Sequence, residues 1–553
     1  MAPVAVAASV LLSSSRTLVS WHGFVHAGIA AQIGDGSLPP ENPFFAGEPL
    51  PYYWAYHALA AALARVAHVD SLHALAALTL ASLALLMFSA LRLGAREYGS
   101  ASAGLLVGWL ALAGLNPAGP AIAGAKAVEQ GIPLFEFVPQ PVETVFVSNE
   151  SADLFMTHPL LGAQYISADW RRGQNLPWFL DNSSRGPALA LLLPLVALFL
   201  APPRPSRIAA SVALGALATA LNPLIGLAGA GALLGGACSV RLASRSAALR
   251  DFFAGSVGGA GIAVAAAALL GALLAAPTYL QLFSAAGEPA VLSLGDAFVR
   301  KAGSMAASFV VLAPLACYGA VRAPARLRGA LVAVALGGLV LAAAVPLVGL
   351  AEGNEHNLAN VAGVLLAVPA LGFAASRGLS SAAAALLFLA FLPVTICTLA
   401  SFAGRPSLPI ASDGGVLVRT PADDPLAQLY RWIREETPRS AVFVVDPAHP
   451  VKMATNVSEL PAFTGRALYV DQPSYLTTPH AAFAQRTRLA AALTAGEPLQ
   501  ETGRAALASL GRPVYLLSHA GDDEHLAAQF TSHYGPPRFA AGFVAVYALE
   551  GAR

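Results

Sequence analysis

The chain is poor in charge, in cysteine and in recognisable motifs. Only 11% of its 553 residues are charged, against about a quarter in an ordinary soluble domain, which excludes a large soluble enzyme. A formal net charge of +1 leaves no basic surface for a nucleic-acid partner. The three cysteines, Cys238, Cys317 and Cys397, lie far apart inside apolar runs, which excludes a disulfide framework and a CxxC metal site. No GxGxxG, P-loop, GxSxG or HExxH pattern occurs, so dinucleotide, nucleoside-triphosphate and zinc-hydrolase chemistry have no sequence support.

What the chain has is apolar sequence: 56% hydrophobic residues and a mean hydropathy of +0.63. The charge is unevenly placed, with 27 of the 63 charged residues in 401–553. The expectation is a membrane block over 1–400 followed by a water-soluble domain over 401–553. Spanning helices need roughly 20 mainly apolar residues. Runs near that length are 71–91, 100–115, 187–201, 252–276, 305–321, 329–350, 359–376 and 379–400. Residues 3–20 form a weak first span, or a signal-like segment. As one helix 208–240 would measure about 50 Å, too long for a bilayer. Asn222-Pro223 at its middle predicts two shorter helices meeting at a turn.

Basic residues orient this map. The connections 92–99, 202–207, 241–251, 322–328 and 377–378 total 34 residues and carry eleven arginines. The segments 20–70, 116–186, 277–304 and 351–358 hold seven basic residues against fifteen acidic ones. The asymmetry predicts eleven spans, with the N-terminus inside and the C-terminal domain outside. It requires that 53–69, which contains His57, Arg65 and His68, lie in the interface rather than cross.

The polar groups of chemical interest fall on the outward segments. Loop 34–51 is dense in proline and glycine, carries Asp35, Glu41 and Glu48, and runs into Tyr52, Tyr53 and Trp54. Carboxylates beside aromatic rings suit sugars, whose hydroxyls need acceptors and whose apolar faces stack on rings; an interfacial aromatic belt is the plainer alternative. His22 and His26 are spaced to share one helix face, yet without a third ligand they do not make a metal site. Arg171 and Arg172, beside Trp170 and Trp178, can grip a phosphate with their forked guanidinium groups, or be charges near the headgroups. Between 352 and 360, Glu352, Asn354, Glu355, His356, Asn357 and Asn360 crowd the mouth of a helix, more polar side chains than a cap requires.

This order, with GDGSLPPENPFFAGEPLPYYWAYHALAAALARV ahead of a helix whose far end is basic and then YGSASAGLLVGWLALAG, resembles the GT-C superfamily of multi-pass membrane glycosyltransferases. LYRWIREETPRSAVFVVD and ELPAFTGRALYVD look like the extracytoplasmic domain appended to many bacterial members. The resemblance implies an α-helical integral membrane protein with a C-terminal extracytoplasmic α/β domain, in the inner membrane of a bacterial cell. It implies a polyprenyl-phosphate-linked sugar donor and an inverting transfer to a glycan, lipid or protein of the cell envelope. An acidic residue of the first loop would act as base. The family usually places that acid directly after the first helix, where this chain reads Trp21-His22-Gly23.

The catalytic candidates are therefore Glu41, Glu48, Asp35 and His22, one of which must take the acceptor proton. His26, Tyr53, Trp54, His57, Arg171, Arg172, Glu355 and His356 are candidates for holding sugar and phosphate. A divalent cation, Mg or Mn, is a candidate for charge neutralisation at the leaving phosphate; no residue is assigned to it. A transporter with helices broken at Asn116-Pro117 and Asn222-Pro223, or a non-catalytic assembly protein on the same scaffold, are the alternatives. For the tail, a helix from Pro425 to Glu436 with a Leu426, Leu429, Tyr430 and Ile433 stripe and strands at 441–446, 467–471, 513–518 and 542–548 predict a compact α/β layer.

Overall fold

The computed structural model describes residues 21–34, 36, 38–119, 174–180, 182–202, 204–253, 259–279, 291–292, 295–350, 354–372, 381–403, 425–447, 458–471, 476–477, 480–519 and 523–549. The expected first span at 3–20 and Arg377 lie outside them.

The helices of the apolar block run in chain order α1 (Trp21–Gly34), α2 (Ala55–Ala67), α3 (Ser71–Glu97), α4 (Ala101–Ala113), α5 (Leu192–Leu200), α6 (Pro205–Leu221), α7 (Pro223–Ala243), α8 (Gly259–Ala275), α9 (Asp296–Phe309), α10 (Leu312–Arg322), α11 (Ala325–Ala344), α12 (His356–Ala367) and α13 (Ser381–Ala403). Among the described residues three helices are long and apolar enough to cross a membrane, at 71–97, 223–243 and 325–347, or four with the bent pair 298–309 and 312–322. Six further apolar helices are shorter. Prolines account for several breaks, because the ring clashes with the carbonyl four residues earlier. Pro194 stops a short helix at Ala190, so the expected span 187–201 is split. Pro314 separates α9 from α10, which meet at a bend of 56°; the segment expected to be an outer loop up to 304 is thus helical from Asp296. Pro369 ends α12.

Caps set other boundaries. Asp70 Oδ1 accepts the His73 N–H at 2.9 Å at the start of α3, and Ser100 Oγ accepts the Ala103 N–H at 3.3 Å at the start of α4. Asn222 Oδ1 accepts the Ile225 N–H at 3.2 Å with Pro223 at the first helical position, so 208–240 is two helices with a turn at Asn222, as expected. Backbones approach where residues are small: a Cβ at Gly215 would lie 2.0 Å from the Ala268 carbonyl oxygen, and one at Gly271 2.0 Å from that of Val212.

α3 and α4 form a hairpin, which places Ser71 and Ala113 at one end of the bundle and Glu97 at the other. Arginines gather at the Glu97 end. Arg96 bonds Glu97 at 2.5 Å and the Ala197 carbonyl at 2.7 Å, and Arg326 reaches Glu97 at 3.2 Å.

At the opposite end sits a five-stranded sheet, built from β3 (Val442–Val444), β4 (Ala467–Leu468), β5 (Val514–Ser518), β6 (Phe539–Ala541) and β7 (Val544–Ala548); β1 (Val291–Leu292) and β2 (Val348–Gly349) form a separate ribbon. The strand order is β4-β3-β5-β7-β6, with β4, β3 and β5 parallel, β7 antiparallel to β5 and β6 antiparallel to β7. Helix α14 (Pro425–Glu436) buries its predicted stripe of Leu426, Leu429, Tyr430 and Ile433. On that face Phe443, Leu468, Val544 and Val546 join the core of the helical bundle, and Phe463 meets Phe24 of α1 edge-on at 5.7 Å. The alternate residues Val442, Val444, Leu516 and Tyr547 form a second core under α15 (Phe483–Thr494), α16 (Glu501–Ala508) and α17 (Glu524–Tyr534). That period of two fixes which face of each strand meets the bundle.

Candidate active site

Loop 38–54 is held at two places. Its first half is bound to the sheet. Leu468 N–H donates to the Pro43 carbonyl, and Ala46 N–H to that of Leu468, each at 2.8 Å. Asn42 Nδ2 donates to the Leu476 carbonyl at 2.7 Å. Phe45 lies in the second core, stacked on His480 at 4.4 Å, with the Arg486 guanidinium 4.1 Å from its ring centre. Glu41 takes a forked pair of hydrogen bonds from Arg512, at 2.5 and 2.9 Å, and accepts the Gly47 N–H at 2.6 Å. Glu48 is partly buried on the same loop, close enough to oppose the downward push of burial on the His480 pKa.

The second half of the loop enters an aromatic cluster. Tyr52 and Tyr53 stack at 3.9 Å, and the Tyr52 hydroxyl donates to that of Tyr53 at 2.6 Å. Asn222 Nδ2 reaches the Tyr53 hydroxyl at 3.4 Å, which ties the α6–α7 turn to the loop. Trp54 meets Tyr279 edge-on at 6.3 Å, and Tyr279 donates to the Ala220 carbonyl at 2.6 Å. Behind the tyrosines, His26 of α1 and His57 of α2 are fully buried and share a hydrogen bond of 2.6 Å between Nδ1 and Nε2. Burial pushes His57 down to about 3, against the pull of the Trp54 and Tyr53 carbonyls. It is a neutral ring at physiological pH, and donates or accepts without carrying charge.

A second polar cluster lies where α9, α12 and the C-terminal end of α4 meet. α9 turns its polar stripe inward: Lys301, Ser304 and Ser308 are buried while Val299 is 66% exposed. That inverts the pattern of a water-soluble amphipathic helix. Lys301 Nζ pairs with Glu355 at 2.7 Å and donates to the Val348 carbonyl at 3.2 Å; Glu355 also accepts the Leu350 N–H at 3.1 Å. Asn116, in the left-handed region at φ 62°, donates its N–H to the Ser308 carbonyl at 3.0 Å. His356 stacks on Trp178 at 5.4 Å. The Arg185 guanidinium lies 3.9 Å from the Trp178 ring centre, and its Nη2 donates to Asn354 Oδ1 at 3.4 Å.

Of the residues singled out by sequence, Tyr53, Trp54, His26 and His57 come together in one cluster and Glu355 and His356 in the other. Glu41 and Glu48 face the sheet instead. The side chain of His22, and Asp35, Arg171 and Arg172 altogether, lie outside the described residues. Sequence reasoning missed Arg185, Asn175 and Asn222 as site residues. The Asn-Pro break was a signal for the last, and the i, i+3, i+7 polar spacing of α9 was a signal for the inward stripe. Among the described residues no three His, Cys, Asp or Glu side chains converge as metal ligands, so no metal fit is supported by them.

No protein-family model and no curated protein matches the sequence. Solved structures do. ArnT from Cupriavidus metallidurans bound to undecaprenyl phosphate is 14% identical, with 99% of this chain and 97% of that one covered at a TM-score of 0.50. The apo state of the same protein is 13% identical over 99% and 97%, with a TM-score of 0.49. An Archaeoglobus fulgidus oligosaccharyltransferase is 12% identical over 95% of this chain and 69% of its own, with a TM-score of 0.42. Over nearly its whole length the chain shares the fold of the first of these structures.

Proposed function

We propose that this protein is a membrane glycosyltransferase that moves a sugar from a polyprenyl-phosphate-linked donor to an acceptor of the cell envelope. The observation that supports it most is the inward polar stripe of α9, where Lys301, Ser304 and Ser308 are buried and Lys301 pairs with Glu355 at the start of α12. Buried ionisable groups at membrane depth are expensive and mark sites of chemistry or passage. The likeness to an ArnT crystallised on undecaprenyl phosphate supports a polyprenyl-linked donor.

In this reading the arginine-rich end is cytoplasmic, the N-terminus lies inside, eleven spans cross the inner membrane, and the α/β layer is extracytoplasmic. An acceptor hydroxyl loses its proton to a base as its oxygen attacks the anomeric carbon, with inversion. The bond from that carbon to the phosphate oxygen breaks, and the lipid phosphate leaves with the electron pair. Arg185, Arg171 and Arg172 neutralise the departing phosphate with their planar forks, and His356 donates to it.

Glu41, already carrying two bonds from Arg512 and one from Gly47, acts as a clasp for the sheet. Glu48, Asp35 and His22 then remain the candidates for the base.

The test is transfer from undecaprenyl-phosphate-linked sugars by the full chain in detergent. Glu48→Gln is expected to cost about 10²–10⁴-fold in turnover, Arg185→Ala a comparable factor, and Glu41→Gln far less. Full turnover in both Glu48→Gln and Arg185→Ala would remove these role assignments; no transfer from any such donor by the wild type would remove the reading.

A further inference from the structure

The hydrogen bonds at the start of α12 leave two buried oxygens with a direction fixed and a donor still to come. Asn175 Nδ2 donates to the carbonyls of Ala111 at 2.8 Å and Asn360 at 3.2 Å. Two carbonyl partners fix which side of that amide is nitrogen. Its Oδ1 must therefore accept, and it does so from Asn360 Nδ2 at 2.8 Å. The second amide is fixed in turn: Asn360 Oδ1 faces away from Asn175, is buried, and has no hydrogen-bond partner among the described residues. Asn357 follows the same logic. Its Nδ2 donates to the Asn354 carbonyl at 2.9 Å, and its Oδ1 is buried with no partner among the described residues. Both residues are 1% exposed, and buried amide oxygens without a donor are a costly rarity in native proteins.

Positions three apart on a helix have Cβ atoms roughly 5–6 Å apart, so these two acceptors address one small ring better than two distant groups. What completes them must donate a hydrogen bond to each, as the hydroxyls of one ring or an ammonium can. An ammonium is disfavoured because both amides are neutral and the adjoining carboxylate, Glu355, is already paired with Lys301 at 2.7 Å. The neighbours supply the rest of the argument. Arg185, placed above at the phosphate, bonds Asn354 Oδ1, and the Asn354 carbonyl holds Asn357. A sugar joined to a phosphate carries its ring hydroxyls within one such step of the phosphate.

We infer that Asn357 and Asn360 accept hydrogen bonds from two ring hydroxyls of the donor sugar, and that they select the donor by those hydroxyls. This deepens the glycosyltransferase reading and rests on it for the lipid-phosphate carrier. The full chain in detergent is titrated with bare undecaprenyl phosphate, with undecaprenyl-phosphate-linked hexose and pentose, and with monodeoxy analogues of whichever binds tighter. The wild type is expected to bind the sugar-bearing lipid about five- to thirtyfold tighter than the bare lipid, with one or two deoxy positions losing most of that ratio. In Asn357→Ala and Asn360→Ala the ratio falls towards one while the affinity for the bare lipid, which reports a folded site, stays at the wild-type value. A wild type that binds sugar-bearing and bare lipid equally, deoxy analogues that all bind as the parent, or alanine variants with the full ratio would each overturn the inference. Binding with discrimination but without transfer to any acceptor would instead count against the enzymatic reading and leave these contacts standing.

Discussion

The ion pair between Glu41 and Arg512 is the sharpest place to perturb the junction of loop and sheet. The two side chains are 22% and 20% exposed, so the pair lies between two regimes. Exposed pairs contribute about 0–1 kcal/mol, and breaking one half of a fully buried pair costs about 3–5 kcal/mol. For Arg512→Ala we take about 2 kcal/mol, since Glu41 keeps its bond from the Gly47 N–H and regains some water. Arg486 is the larger anchor. It donates to the carbonyls of Ala46 at 2.6 Å and Tyr469 at 3.0 Å and covers the Phe45 ring, so Arg486→Ala is expected to cost about 3 kcal/mol from charged hydrogen bonds and cation–π contact.

Chymotryptic cleavage beside Phe44 and Phe45 reports this opening, because both rings are buried and must undock to be cut. When closing is faster than cleavage, the rate follows the population of the open form, and 2 kcal/mol corresponds to about thirtyfold. Arg512→Ala should thus be cut about thirtyfold faster and Glu41→Gln about tenfold. The double variant should resemble Arg512→Ala rather than the product of the two, because the same interaction is lost once. Multiplicative rates would show that the two side chains act independently, and the clasp would have to be abandoned.

His57 sets the first of the remaining predictions. Its folded pKa, near 3, lies below the ordinary 6.5, so the unfolded chain binds the extra proton between these values and stability falls as pH drops below about 6.5, by up to about 2 kcal/mol at pH 5. His519, pushed down to about 4 by burial, acts with the same sign, and His57→Gln should flatten the acid limb of a thermal-stability profile without abolishing it. Gly271→Ala should lower the yield of monodisperse protein by size exclusion, since its Cβ would meet the Val212 carbonyl oxygen at 2.0 Å; Gly231→Ala, with nothing within 4 Å, should be neutral or gain up to about 1 kcal/mol. Glu355→Gln leaves Lys301 buried without its counter-charge and should cost about 3–5 kcal/mol in detergent melting, while the double variant Lys301→Met/Glu355→Gln should recover much of it.

Local rules made the α/β layer legible. α14 begins and ends where its stripe does, and four strands fall inside the expected ranges because alternation and turn residues are local signals. β6 escaped because its three residues, Phe539–Ala541, have no room for a period. In the apolar block the proline rule was read at Asn222-Pro223 but not at Pro194, Pro314 and Pro369, where high hydropathy masked the break. The aromatic cluster was visible as a run of adjacent residues. The fate of Glu41 was not, since its partner Arg512 lies 471 residues away in the chain and nothing local pairs them. A separation of 185 residues likewise hid Asn175 from Asn360.

That long-range pairing changes how the α/β layer must be regarded. One face of its sheet shares a hydrophobic core with α1, and the loop from Glu41 to Phe45 closes the edge of β4. Four residues beyond Glu48, the same loop supplies Tyr52 to the ring that surrounds His26 and His57. The connection between the two is short and contains Pro49 and Pro51 with their fixed φ, so a displacement of the sheet is passed through few residues to the buried histidines.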